Sequence, residues 1–301
     1  MSTESKECNQ LFFLGLPKSG KTTYFTIMVD HLQRHVNSEK SKYKFRSEPS
    51  EGNKETTSEF VHRTMNDIKS QKWPIKTQKY IEAYRFALVK RNEDVLETEK
   101  LGLKHIFNPW KWSDKSRTKC VKKDVSSIIH YHDYPGEAFE QFKYDCQQPS
   151  ENQSNGSNPY RKSAGELRDK IKSADGIFLI LDAESLDASS DYDGHYYTIL
   201  GLFRYIRNQN KDVKLAVIIN KLEVFAKSKV VYGEKSFRDD YIDLYANLPK
   251  NSKFFEVYTL GSLDQNDEGE WIPPKRLEPK GILEPLEWML GMSEVGFNEK
   301  I

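Results

Sequence analysis

The chain has 301 residues, 37% of them hydrophobic and 30% charged, with a formal net charge of +1. That length allows one large domain or two small ones, and the near-zero charge points to no polyanionic partner unless charge is locally clustered. The three cysteines, Cys8, Cys120 and Cys146, have neither zinc-site nor disulfide-framework spacing, which suits a reducing compartment. The polar start MSTESKECNQ lacks a signal-peptide core, and no apolar run approaches the roughly 18 residues that would suggest a membrane span. The expectation is a cytoplasmic protein without a transmembrane segment.

Residues 1–9 read as a polar tail. The run QLFFLGL at 10–16 reads as a buried strand ending in a glycine loop. From Thr22 a helix follows, with Phe25, Met28, Val29, Leu32 and Val36 on one face. Residues 38–58 read as loop, and Phe60, Val61, Met65 and Ile68 as a second helix stopped by Trp73-Pro74. Strand character returns over 80–89 and 127–132. Between them, 91–124 reads as an insertion, with seven Lys/Arg against one acidic residue between 104 and 123. The stretch 145–163 is a Ser/Asn/Gln/Pro-rich loop. Short apolar runs at 177–181 and 215–219 have the form of parallel strands buried on both faces, with a helix over 197–206 between them. A strand at 254–258 and a helix at 283–290 close the pattern, leaving 291–301 as a tail. Strands alternating with helices predict a doubly wound, mostly parallel α/β domain spanning 10–290.

The strongest chemical signal is Gly15-Leu16-Pro17-Lys18-Ser19-Gly20-Lys21-Thr22, a match to G-x-x-x-x-G-K-[ST] between a strand and a helix. Its glycines let the backbone wrap a phosphate, so that N–H groups of Lys18, Ser19, Gly20 and the Thr22-Thr23 helix start point inward. Lys21 supplies charge across the β- and γ-oxygens, and the Thr22 hydroxyl ligates Mg²⁺. Asp133-Tyr134-Pro135-Gly136 follows a strand and has the D-x-x-G form, which makes Asp133 the metal-side carboxylate and Gly136 the γ-phosphate sensor. Asn220-Lys221-Leu222-Glu223 follows another strand and has the form of a guanine-reading N-K-x-D loop, with Glu223 one methylene longer than the usual Asp. Thr259-Leu260-Gly261 stands where a short base-contacting loop would fall. Thr77, just before the strand over 80–89, resembles in its place the threonine that closes on Mg²⁺ in Ras-like GTPases, and is favoured over Thr56 and Thr57, which precede a predicted helix. Glu137 takes the place after D-x-x-G from which a side chain can orient the attacking water, completing a catalytic set with Lys21 and Thr77.

In the order and spacing of these motifs the chain resembles the TRAFAC class of P-loop GTPases, with a Ras-like G domain. The wording GLPKSGKTTY, WPIKT, DYPGE and EPLEWML is closest to the bacterial double-GTPase and GTPase-associated families, many of them encoded in conflict or defence operons. The resemblance implies GTP/GDP, Mg²⁺, and a protein effector or self-association. Three functions stay open: a hydrolysing GTP switch, a GTP-binding interaction module with little turnover, and an ATP-using, kinase-like P-loop enzyme. For 104–123, with Trp110 and Trp112 among basic residues, a solvated or protein-packed hairpin ranks above a nucleic-acid or membrane contact.

Overall fold

The apolar run Leu11–Gly15 (β1) is buried along its whole length, because it lies between two parallel strands and under helices on both sides. The computed structural model describes residues 10–16, 18–36, 43–48, 55–74, 82–100, 116–133, 160–183, 192–221, 238 and 242–291. After β1 come α1 (Lys21–Val36), β2 (Tyr43–Glu48), α2 (Thr57–Lys69), β3 (Glu82–Lys100) and β4 (Ser116–Asp133). They are followed by α3 (Tyr160–Ser173), β5 (Gly176–Asp182), α4 (Tyr192–Gln209), β6 (Lys214–Asn220), α5 (Ile242–Ala246) and β7 (Ser252–Glu256). A small hairpin, β8 (Asp264–Gln265) and β9 (Trp271–Ile272), precedes α6 (Glu284–Leu290).

The seven strands form one sheet in the order β2-β3-β4-β1-β5-β6-β7. From β4 to β7 all neighbours are parallel, whereas β3 pairs antiparallel with β4 and β2 pairs antiparallel with β3. Side chains alternate between two cores, as strand geometry requires. Phe13, Phe178, Ile180 and Ile218 face α1, α2 and α6, while Leu14, Leu179, Leu181 and Val217 face α3, α4 and α5. Burial on both faces explains why β1, β5 and β6 read as continuous apolar runs. A phosphate-loop sequence joins the interior strand β1 to α1, at the carboxyl edge of this parallel block. This is a doubly wound, mostly parallel α/β fold.

Several expectations are corrected. The stretch 38–58 contains β2, an edge strand paired with β3 from Tyr43↔Lys90 to Glu48↔Arg85. Only Tyr43 and Phe45 of its six residues are apolar, too few to stand out in the sequence. Within the region 91–124, β3 continues to Lys100 and β4 begins at Ser116. The ladder pairs Glu93 with Lys123, Asp94 with Lys122, Glu97 with Lys119 and Glu99 with Arg117, after a register shift beyond Lys90. Residues 160–163, expected in a loop, open α3, whose buried residues Leu167 and Ile171 are too sparse to announce a helix. The helix expected over 197–206 extends to Tyr192–Gln209, and the strand expected at 254–258 lies at Ser252–Glu256. Residues 1–9, 145–159 and 292–301 lie outside the described residues, while Gly291 forms the left-handed cap of α6.

The start of α2 also holds the two threonines weighed against Thr77. The Thr56 hydroxyl accepts from the Glu59 N–H at 3.3 Å, and the Glu59 carboxylate accepts from the Thr56 N–H at 2.7 Å, a reciprocal capping box. Thr57 is buried, with its hydroxyl donating to the Arg85 carbonyl at 2.6 Å. Both threonines that competed with Thr77 are therefore committed to holding α2. The Thr56 backbone N–H, and secondarily its hydroxyl, holds the Glu59 carboxyl below its ordinary value of 4.5. Because the folded value is the lower one, this stabilisation is present above about pH 4.5 and is lost as pH falls through the folded value. Thr56→Ala should cost about 1 kcal/mol at neutral pH, with a smaller further loss on acidification than wild type shows. Urea melts of both proteins at neutral pH and below pH 4.5 measure this; superimposable acid limbs would show that the Thr56 hydroxyl, the smaller part of the shift, contributes nothing to the pH dependence of stability.

Candidate functional site

The loop between β1 and α1 is built by close approach. A Cβ on Gly15 would lie 2.6 Å from the Ile180 carbonyl oxygen and 2.7 Å from Ser19 Oγ, so no side chain fits there. Gly20 has φ +83, and a Cβ on it would meet Asn220 Nδ2 at 2.6 Å. Lys18 is also left-handed at φ 64 although it is not glycine, a backbone state that a non-glycine residue holds at some cost. The turn is closed by the Ser19 N–H donating to the Leu16 carbonyl at 3.2 Å, and α1 begins with the Tyr24 N–H donating to Gly20 at 2.8 Å. Lys21 folds back over the loop, donating to the Gly15 carbonyl at 3.1 Å and the Leu16 carbonyl at 3.4 Å. Ser19 is fully buried, and its hydroxyl has no hydrogen-bond partner among the described residues.

Three loops meet through one amide. Asn220 ends β6 and is 1% exposed. Its Nδ2 donates to the Ser19 carbonyl at 3.0 Å, and its Oδ1 accepts from the Thr259 hydroxyl. The phosphate loop, the N-K loop and the loop after β7 are thereby fixed to one another. The Leu260 side chain is buried in the core and its carbonyl accepts from the Glu278 N–H. Lys221 has φ 62, and its ammonium bonds the carboxylate of Asp182, which ends β5 and is 6% exposed. Asp182 was missed at the level of sequence, although the run GIFLILD, an apolar strand ending in aspartate, was its signal.

At the start of α1, the Tyr131 hydroxyl donates to Thr22 Oγ1 at 3.3 Å. Tyr131 was also missed, because only the fold brings β4 beside the start of α1. Its ring is buried and stacks on Phe25 with centroids 3.9 Å apart. Asp133 is the last residue of β4, two positions beyond Tyr131. Thr23 is buried in the first turn of α1, and Lys18 is exposed. Thr77, Gly136, Glu137 and Glu223 lie outside the described residues. Among the described residues no cluster of three His, Cys, Asp or Glu could hold a metal, and no helix is long and apolar enough to cross a membrane.

No protein-family profile and no curated protein matches the chain. Among solved structures, it is similar to Methanosarcina barkeri Roco2 RocCORdC bound to GDP, at 13% identity and a TM-score of 0.35, covering 97% of this chain and 50% of that one. It is also similar to the Arl6 BBS3 small GTPase of Trypanosoma brucei with the nucleotide analogue GppNp, at 12% identity and a TM-score of 0.38, covering 94% and 95%. The chain thus spans about half the length of the Roco2 structure.

Asn220→Ala would strand the Ser19 carbonyl and the Thr259 hydroxyl in the interior. Leaving such groups unpaired costs about 1–3 kcal/mol, so the variant should melt lower without any added ligand. A thermal melt matching wild type would show that the three loops hold together without this amide.

Proposed function

We propose that the chain is a Mg²⁺-dependent GTP-binding protein that hydrolyses GTP as a molecular switch. The observation that carries this is the Asn220 amide, which joins the phosphate loop to two loops at the same sheet edge, where a base would lie. Lys21 would span the β- and γ-oxygens, and the backbone of residues 18–23 would cradle the phosphates at the start of α1. Guanine would be read by Glu223, with Lys221 along its face and the Thr259-Leu260 backbone beside it.

The described donors suit Mg²⁺, which takes hard oxygen ligands and shares substrate phosphates. Thr22 offers a hydroxyl whose orientation Tyr131 fixes, and Asp133 ends the neighbouring strand on that side. The ion would neutralise charge developing on the phosphate oxygens. Thr77 would join it in the triphosphate state, and Gly136 would sense the γ-phosphate. The motif wording supports a place beside the bacterial double-GTPase families, with a cytoplasmic setting and a protein effector or a second copy as partner. An ATP-using enzyme is the second reading, favoured by the acid of the base-reading loop being glutamate.

Titration with GTP, GDP and ATP, with and without Mg²⁺, separates these readings. A base edge matched by hydrogen bonds discriminates by as much as about 10⁴–10⁵, so GTP should bind far more tightly than ATP. Lys21→Ala should lose triphosphate binding while keeping the wild-type melt. Equal GTP and ATP affinity would promote the ATP reading, and unchanged GTP binding by Lys21→Ala would sink the phosphate-loop role.

Glu137 brings negative charge towards an anionic γ-phosphate and, unlike glutamine, has no N–H to donate. An arginine supplied in trans is worth about 10³–10⁵ in GTPases. Single-turnover hydrolysis should therefore be slow at low protein concentration and rise with self-association or an added partner. Fast hydrolysis independent of concentration would place the full catalytic set within one chain.

A further inference from the structure

Asp182 lies at the carboxyl end of β5, in register with Asn220 on β6. Its carboxylate is buried and bonds the ammonium of Lys221. Lys221 departs from the strand in the left-handed region, at φ 62. Its stem then crosses the phosphate loop, with Cε 3.9 Å from where a Cβ of Gly20 would stand. Both ends of this side chain are therefore determined, by a constrained backbone at one end and a buried acid at the other. A lysine without such an anchor keeps its four-carbon stem mobile and its head in water.

From this arrangement we infer that Asp182 is a positioning residue of the nucleotide site: it draws the Lys221 ammonium down beside the sheet edge, so that the lysine stem forms a fixed apolar wall for the base. The inference rests on the nucleotide-site reading given above. It makes Asp182 act on the base half of the ligand, because its carboxylate bonds the ammonium of Lys221. A mere tie between β5 and β6 would affect stability but would not distinguish one part of the ligand from another.

The experiment is equilibrium binding of labelled GDP to wild type, Asp182→Asn, Lys221→Met and the double variant, with inorganic triphosphate as a base-free competitor. Re-mobilising one long side chain corresponds to about a three- to tenfold loss. Each single variant should lose GDP affinity by that factor, and the double variant should lose no more than the weaker single. Inorganic triphosphate should compete with the same inhibition constant against all four proteins. GDP affinity at the wild-type level in Asp182→Asn, multiplying losses in the double variant, or a parallel fall in triphosphate affinity would each overturn the inference. Should Asp182→Asn fail to fold, Lys221→Met reads the same contact from its other end. A GDP-selective loss there sustains the inference, and wild-type affinity overturns it. A wild type that binds neither GDP nor triphosphate overturns the nucleotide-site reading itself, and the inference falls with it.

Discussion

The buried amide of Asn220 sets the geometry on which the candidate site depends. A side-chain amide at 1% exposure must satisfy donor and acceptor from within the protein. It does so on Ser19, 201 positions away, and Thr259, 39 positions away. Neither contact can relax without leaving a polar group unpaired, so the phosphate loop, the N-K loop and the loop after β7 behave as one unit. Gly20 completes the constraint, because only a residue without Cβ lets the Asn220 nitrogen approach this closely.

Beneath that unit, aromatic packing aligns α1. Phe13 stacks on Phe178 with centroids 4.6 Å apart, Phe25 on Tyr131 at 3.9 Å, and Phe60 on Tyr84 at 4.0 Å. These contacts run from β1 and β5 through α1 and β4 to α2 and β3. Stacked and edge-on rings contribute beyond the area they bury, and they resist sliding because the interior is close-packed. One consequence is chemical: the Tyr131 ring that locks α1 to β4 carries the hydroxyl that reaches Thr22. Core packing and the orientation of the Thr22 hydroxyl are thus set by the same side chain.

How much could be read from the residues follows from where each signal resides. Strands β1, β5 and β6 were legible because burial on both faces writes an unbroken apolar run, and the phosphate loop because its spacing and its strand–helix context agree. Strand β2 was not legible, since an edge strand with two apolar residues resembles a polar loop. Helix α3 was hidden for the same reason, with Leu167 and Ile171 alone marking its buried face. Asp182 and Tyr131 act through partners 39 and 109 positions away, pairings that only the sheet order brings about. The roles expected of Thr77, Gly136, Glu137 and Glu223 remain sequence readings.

The long β3–β4 ladder bears on what the basic region can bind. Counted along the sequence, 104–123 holds seven cations and one acid and resembles a strip for phosphates. Counted along the ladder, Arg117, Lys119, Lys122 and Lys123 each stand opposite an acidic residue of β3. Directly opposed unlike charges favour pairing of the strands. This register gives four of the seven cations a place in hairpin pairing. It also explains why the acids of 93–99 and the bases of 117–123 occur as two blocks of opposite sign: an antiparallel ribbon brings such blocks into register, residue by residue.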